Sequence, residues 1–269
     1  MSATRHFQCT ICGQCCYGLL PLTCKDAFAN AARFPLGFVW TALRQGSKDY
    51  AMTATLGTTL TLAHRKELAV MITPTAYLPK SFPCPALGDD NRCSIHLNKP
   101  SRCRTMPFYP YRDERYQAEL LKPRLGWACD TSTAAPVVFK DHQIVLRDDF
   151  DQERQALLEQ APVLRRYADY MFKYSPWLVG ALTQASSQTK TRSVVTSLSS
   201  FLTATRNADA GRLARLQLPV LNDYATRTGG DAQLAEFHQN YRNWFQEMTY
   251  LSQRLDASPT CADASVRSD

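Results

Sequence analysis

The chain changes its hydrophobic rhythm near position 147. Downstream of it, apolar residues recur at spacings of three and four, the pattern of one-sided helices. Asp151 to Lys173 carries Leu157, Leu158, Leu164, Tyr167 and Met171, with Pro162 as a kink or break. Ser187 to Arg206 sets Val194, Val195, Leu198, Phe201 and Leu202 on one face. Asp231 to Leu255 repeats Leu234, Phe237, Tyr241, Trp244, Phe245, Met248, Leu251 and Leu255, with Asp231 as cap. Upstream the pattern is turn-rich and mixed. Thr23 to Arg44 reads as a helix that Thr23 caps and Pro35 bends, with Asp26 in its first turn. Tyr50 to Leu78 is rich in Thr, Val, Ile and Tyr, with turns at Gly57 and Arg65-Lys66-Glu67, so strands and hairpins are expected. Val137-Val138-Phe139 and Ile144-Val145-Leu146 flank Lys140 to Gln143 as a further hairpin. The expected fold class is α+β. A small irregular cysteine-rich metal-binding domain spans 1–146, a helical domain 147–258 and a disordered tail 259–269.

Composition is ordinary for a folded chain of 269 residues, with 45% hydrophobic and 20% charged residues, but ten are cysteine. A disulfide scaffold would suit a much smaller secreted domain. Met1 to Thr10 is polar, without the apolar core of a signal peptide. No stretch reaches the roughly 20 apolar residues of a membrane span. The longest candidate, Phe34 to Leu43, is interrupted by Pro35, Gly37 and Thr41. The expectation is a cytoplasmic protein, away from membranes, whose reduced thiols can bind metal.

Charge sharpens this picture. Residues 1–130 hold 16 Lys and Arg against 9 Asp and Glu, and the remainder holds 15 of each. The whole net charge of +7 therefore lies with nine of the ten cysteines. Such an excess can attract nucleic acid. A divalent metal on four thiolates, however, carries about −2, so two such sites would cancel roughly four of these charges. The aromatic and basic residues from Phe108 to Arg124 could form a single-strand platform, but Pro107 and Pro110 break it, and nucleic acid is not the expected partner.

The chemistry concentrates in Cys9-Thr-Ile-Cys12-Gly-Gln-Cys15-Cys16. Cysteines at i, i+3 and i+6 let one turn aim Cys9, Cys12 and Cys15 at a single centre, with Gly13 supplying the backbone freedom. The same spacing matches the first three ligands of a bacterial [4Fe–4S] run. Cys16, as a sequence neighbour of Cys15, points in a different direction and suits a second site, or the same centre only if the backbone bends hard. Further cysteines follow in Cys84-Pro85-Ala-Leu87, Cys93-Ser-Ile95-His96, Lys99-Pro100-Ser-Arg102-Cys103-Arg104-Thr-Met-Pro107 and Trp127-Ala-Cys129.

Together these motifs resemble the YkgJ-type cysteine-cluster family, described as chelating zinc or iron. The resemblance covers residues 6–130, with Lys99 where arginine is usual and Met106 where phenylalanine is usual. It implies Cys9, Cys12, Cys15, Cys16, Cys84, Cys93, Cys103 and Cys129 as ligands of an iron–sulfur cluster, [4Fe–4S] in type, or of zinc. It also relates the chain to the cysteine-rich part of flagellin lysine methylases. Three functions follow as expectations: a redox or accessory metal-centre protein, a protein lysine methyltransferase, and a zinc-stapled module that binds a protein partner through its helical half. No catalytic residues stand out, because no nucleotide loop or base–nucleophile set is visible. Arg102 and Arg104 are expected around the centre, as donors to sulfur or as balancing charge. Cys24 reads as a spare structural thiol and Cys261 as a non-ligand. His6 and His96 read as neighbours of the centre. Metal is expected to hold residues 1–130 folded, while 150–255 need none.

Overall fold

A computed structural model describes residues 4–187 and 193–256, and its class is α+β. The chain opens with β1 (Arg5–His6), a 3-10 turn at Gln14–Cys16, β2 (Leu20–Pro21), α1 (Cys24–Ala29) and β3 (Leu36–Arg44). Next come α2 (Tyr50–Leu56), β4 (Thr58–Thr61) and β5 (Glu67–Ala76). A long irregular stretch contains α3 (Ser101–Thr105) and a 3-10 helix at Glu114–Leu121, and leads to the hairpin β6 (Val137–Lys140) and β7 (Gln143–Ile144). The rest is α4 (Asp148–Tyr174), α5 (Pro176–Ser186), β8 (Val194–Ser197), α6 (Leu198–Thr205), α7 (Ala210–Thr228) and α8 (Ala235–Asp256). The tail at 259–269 with Cys261, and positions 188–192 of the expected helix Ser187 to Arg206, lie outside the described residues.

The expected helix from Thr23 to Arg44 is corrected by the structure. Thr23 does cap a helix, accepting from the Asp26 backbone N–H at 3.0 Å, but α1 ends at Ala29. Pro35 cannot donate to a helix, and the β-branched and aromatic run after it favours a strand. The buried Gln217 of α7 secures the turn between them. Its side-chain amide donates to the carbonyls of Ala31 and Phe34, and its oxygen accepts from the Leu36 N–H at 2.9 Å. The expected helix from Ser187 to Arg206 is also only half right. Val194, Val195 and Thr196 form strand β8, and the Ser197 side chain then caps α6. Tyr50 to Leu56, expected as strand, is helix α2. Both α5 and α7 escaped the periodicity reading.

Strands β2, β5, β3 and β8 lie side by side in an antiparallel sheet, and β4 also pairs with β5. The β3–β5 register runs from Leu36↔Ala76 to Arg44↔Leu68. Phe38 stacks on Phe201 with centroids 4.7 Å apart, and the Trp40 indole donates to Thr196 Oγ1 at 2.8 Å. Phe34, Trp40 and Ile72 thus share one core with Tyr167, Phe201, Leu213 and Tyr241, from either side of position 146. Each such large side chain contributes about 1.5–3 kcal/mol on burial. A second, small sheet orders β1, β6 and β7 over Phe108, Phe139, Ile144 and Phe150. Asp141 and His142 turn its hairpin, both with positive φ as a primed turn requires. Among the described residues no helix is long and apolar enough to cross a membrane.

Candidate metal centre

Two left-handed residues wind the N-terminal run, Ile11 with φ 59° and Gly13 with φ 71°. That conformation is costly for a β-branched residue such as Ile11. It aims the Ile11 N–H at Cys9 Sγ, 3.4 Å away. Gly13 has a further role, because a Cβ there would lie 2.8 Å from Asn91 Oδ1. The run therefore fits tightly against the loop between Cys84 and Cys93.

Backbone pairing brings the remote cysteines to this run. Gln8 and Asp130 exchange hydrogen bonds at 2.8 and 3.0 Å, and Thr10 Oγ1 donates to the Ala128 carbonyl at 2.9 Å, so Cys129 stands beside Cys9 and Cys12. The Cys84 N–H donates to the Cys16 carbonyl at 2.6 Å. A bridge between Leu87 and Cys93, with Ser94 N–H on the Ala86 carbonyl, folds Cys93 back toward Cys84. Cys103 rides on α3, whose first residue Ser101 donates its N–H to Asp26 Oδ2 at 3.1 Å.

The thiols influence one another in two linked neighbourhoods. Cys129 feels Cys9, Cys12 and Cys15, while Cys15 and Cys16, Cys84, Cys93 and Cys103 interact among themselves. Cys15 belongs to both. Cys15 thus lies near Cys16 as well as near Cys12. Among the described residues no three His, Cys, Asp or Glu side chains are closed around one point tightly enough to hold a metal ion.

Local chemistry divides the thiols further. A hydrogen bond from the Cys16 thiol brings Cys15 down to about 6, helped by Lys99, and raises Cys16 itself. Backbone hydrogen bonds from Gln14 and Ala128 lower Cys12. Burial raises Cys84 and Cys129 and pushes Cys103 up to about 12. Arg33 opposes the rise at Cys84, and Arg102 opposes it at Cys103. Lys99 and Arg33 are the residues that sequence reasoning missed as cations of this site. Lys99 lay inside the motif and could have been found, whereas Arg33 reaches Cys84 only through the fold.

The two arginines of the motif do something other than donate to sulfur. Arg102 is buried, donates to the Phe108 carbonyl and pairs with the buried Glu153 of α4, with Nη1 3.5 Å from Oε2. Arg104 bonds Asp149, Gln152 and the Lys99 carbonyl at 3.1, 2.8 and 2.9 Å. Both tie the Cys103 segment to α4. Cys24 packs against the main core, and burial pushes its thiol up to about 12, as suits an inert thiol. His6 bonds the Ala135 carbonyl at 2.6 Å, and His96 is exposed. Phe108 and Tyr111, candidates for a nucleic-acid platform, are buried.

An all-sulfur donor set with backbone N–H groups aimed at sulfur fits zinc or iron rather than a hard cation such as magnesium or calcium. No curated protein and no solved structure matches the chain. Residues 8–122 match the model of the CxxCxxCC family, described as a "putative zinc- or iron-chelating domain". The match covers Cys9 to Cys16, Cys84, Cys93 and Cys103, and stops short of Cys129. Over residues 8–122, less than half of its length, the chain is similar to that family.

Proposed function

We propose that the cysteine region carries an iron–sulfur centre, [4Fe–4S] in type, and that the protein serves as an electron carrier or redox sensor. Cys9, Cys12, Cys15, Cys16, Cys84, Cys93, Cys103 and Cys129 are the residues that would hold it. The observation that supports this reading is the backbone pairing that brings the Cys129, Cys84 and Cys93 segments to the Cys9–Cys16 run. The C-x2-C-x2-C spacing favours a cluster over a lone ion. When bound, such a cluster supplies one-electron transfer. The chain's own part is to supply thiolates, to direct the Ile11 N–H at Cys9, and to set Lys99 and Arg33 against the accumulated negative charge. Cys9 and Cys15 are exposed, which suits exchange of electrons with a partner.

A second reading is a zinc staple, favoured by the division of the thiols into two neighbourhoods that could each supply a tetrahedral site. Anaerobic purification with iron, zinc and acid-labile sulfide analysis separates the two. The cluster reading expects iron and sulfide in equal amounts and visible absorption that bleaches on reduction. A colourless protein holding zinc without sulfide would overturn it in favour of the staple.

A further inference from the structure

An open cleft of about 840 Å³ lies between α4, α5, β8, α6 and α8. Its size falls within the roughly 300–1,000 Å³ of small-molecule sites. None of the eight motif cysteines lines it, so it is a separate feature of the molecule.

Its polar part is built rather than incidental. Ser197 caps α6, and the buried hydroxyls of Ser197 and Ser199 both donate to one carboxylate oxygen of Glu247 on α8. Two donors on one oxygen orient that carboxylate, which is exposed at the wall of the cleft. Beside it stand four aromatic side chains, Tyr170 of α4, Trp177 of α5, and Trp244 and Tyr250 of α8. Trp177 and Tyr250 are 57% and 63% exposed, a large area of aromatic surface to leave in water. Packing of the bundle explains Trp244, which is buried, but gives no reason for the exposed pair.

Aromatic faces carry negative quadrupole potential and attract cations, most strongly when those cations are poorly hydrated. The Glu247 carboxylate in the same lining adds to that attraction. Arg206, exposed at the left-handed end of α6, is the one basic side chain among the described residues of the lining, and by itself it would suit an anion. It has neither buried hydroxyls fixing it nor a ring of partners. We infer that the cleft binds an organic ammonium ion, with its charge toward Glu247 and its alkyl groups against the aromatic faces.

Calorimetric titration of the full chain decides this with three probes: choline, its neutral isostere 3,3-dimethylbutan-1-ol, and butyrate. Choline should bind at least about ten-fold more tightly than the neutral isostere. Glu247→Gln keeps an oxygen for both serines but removes the charge, and should weaken choline about ten-fold. If that variant fails to fold, Trp177→Ala serves instead, since its ring is largely exposed, and it should weaken choline several-fold. The inference falls if choline does not bind, if the neutral isostere binds equally well, or if butyrate is preferred. None of these outcomes depends on which metal the cysteines hold.

Discussion

Removing Glu153 tests whether the helical half holds the cysteine segment in place. Arg102 and Glu153 are 3% and 1% exposed, and their closest charged atoms are 3.5 Å apart. At an effective dielectric of about 20 this separation gives roughly 5 kcal/mol of attraction. Desolvating two ions costs several kcal/mol each, so the intact pair is close to neutral in net stability. Its hydrogen bonding is also incomplete, because Arg102 Nε and Nη1 and Glu153 Oε2 have no hydrogen-bond partner among the described residues. Burial raises the Glu153 carboxyl above its ordinary value, and Arg102 opposes that rise. Breaking the pair is a different matter from never having had it. Glu153→Leu leaves the Arg102 cation buried with the Phe108 carbonyl and the Tyr109 ring, 5.2 Å away, and should cost about 3–5 kcal/mol. Arg102→Met should cost about as much, for the mirror-image reason. The double variant should cost less than either single one, and could exceed the wild type. Urea denaturation of all four proteins reads this directly as a double-mutant cycle. Because Arg102 precedes Cys103 on a helix of five residues, both single variants should also lose bound metal, while the double variant keeps it. Single variants whose costs simply add in the double would show that the two groups act independently, and the claim that α4 anchors this segment would go with them.

Two glycines bracket the packing of the sheet. Gly37→Ala puts a Cβ 2.5 Å from Trp244 Cη2 and 3.0 Å from the Thr196 carbonyl, and should cost about 1–3 kcal/mol, whereas Gly180→Ala meets nothing within 4 Å and should stabilise α5 by about 0.5–1 kcal/mol; thermal melts would compare them. The Arg115 side chain holds Asp113 down at about 2, below the unfolded value of about 3.9. Stability from this group is thus complete above pH ~4 and lost as pH falls toward 2. Asp113→Asn should flatten that part of the acid-unfolding curve, by a small amount because the pair is at the surface; an unchanged curve would show no contribution. Cys84→Ser should lower metal content measured by elemental analysis, and Cys24→Ala should not. Equal losses would remove the distinction between a ligand and a packed thiol. Chelation under reducing conditions should raise hydrogen exchange over residues 8–19 and 80–130 while β3 and β5 stay protected, since α4, α6 and α7 bury them in the main core. Exchange rising equally in β3 would restore the sequence expectation that metal folds all of residues 1–130.

That last difference shows what a one-dimensional reading can and cannot reach. Long amphipathic stripes were legible because helix periodicity is local: α4 and α8 follow their leucines and aromatics. The cysteine motif was legible because its spacing is chemistry in itself. Strand β8 was not. Val194 and Val195 precede Leu198, Phe201 and Leu202 at spacings that a single helix would also produce, and a strand of four residues is too short for alternation to compete. The same blindness hid Glu153 from Arg102 and Arg33 from Cys84, since the fold alone joins those pairs. A physical question could still have pointed to β8. The run Leu36–Arg44 is almost wholly apolar, so both of its edges need covering, and β5 covers only one. Its tryptophan must bury an indole N–H, which demands an acceptor. Thr196 meets both needs, as a member of the strand that pairs with β3 and as the acceptor for Trp40, and Tyr167 donates or accepts at the same hydroxyl from 2.7 Å. Asking which unsatisfied group needs a partner therefore reaches across the chain where periodicity stops.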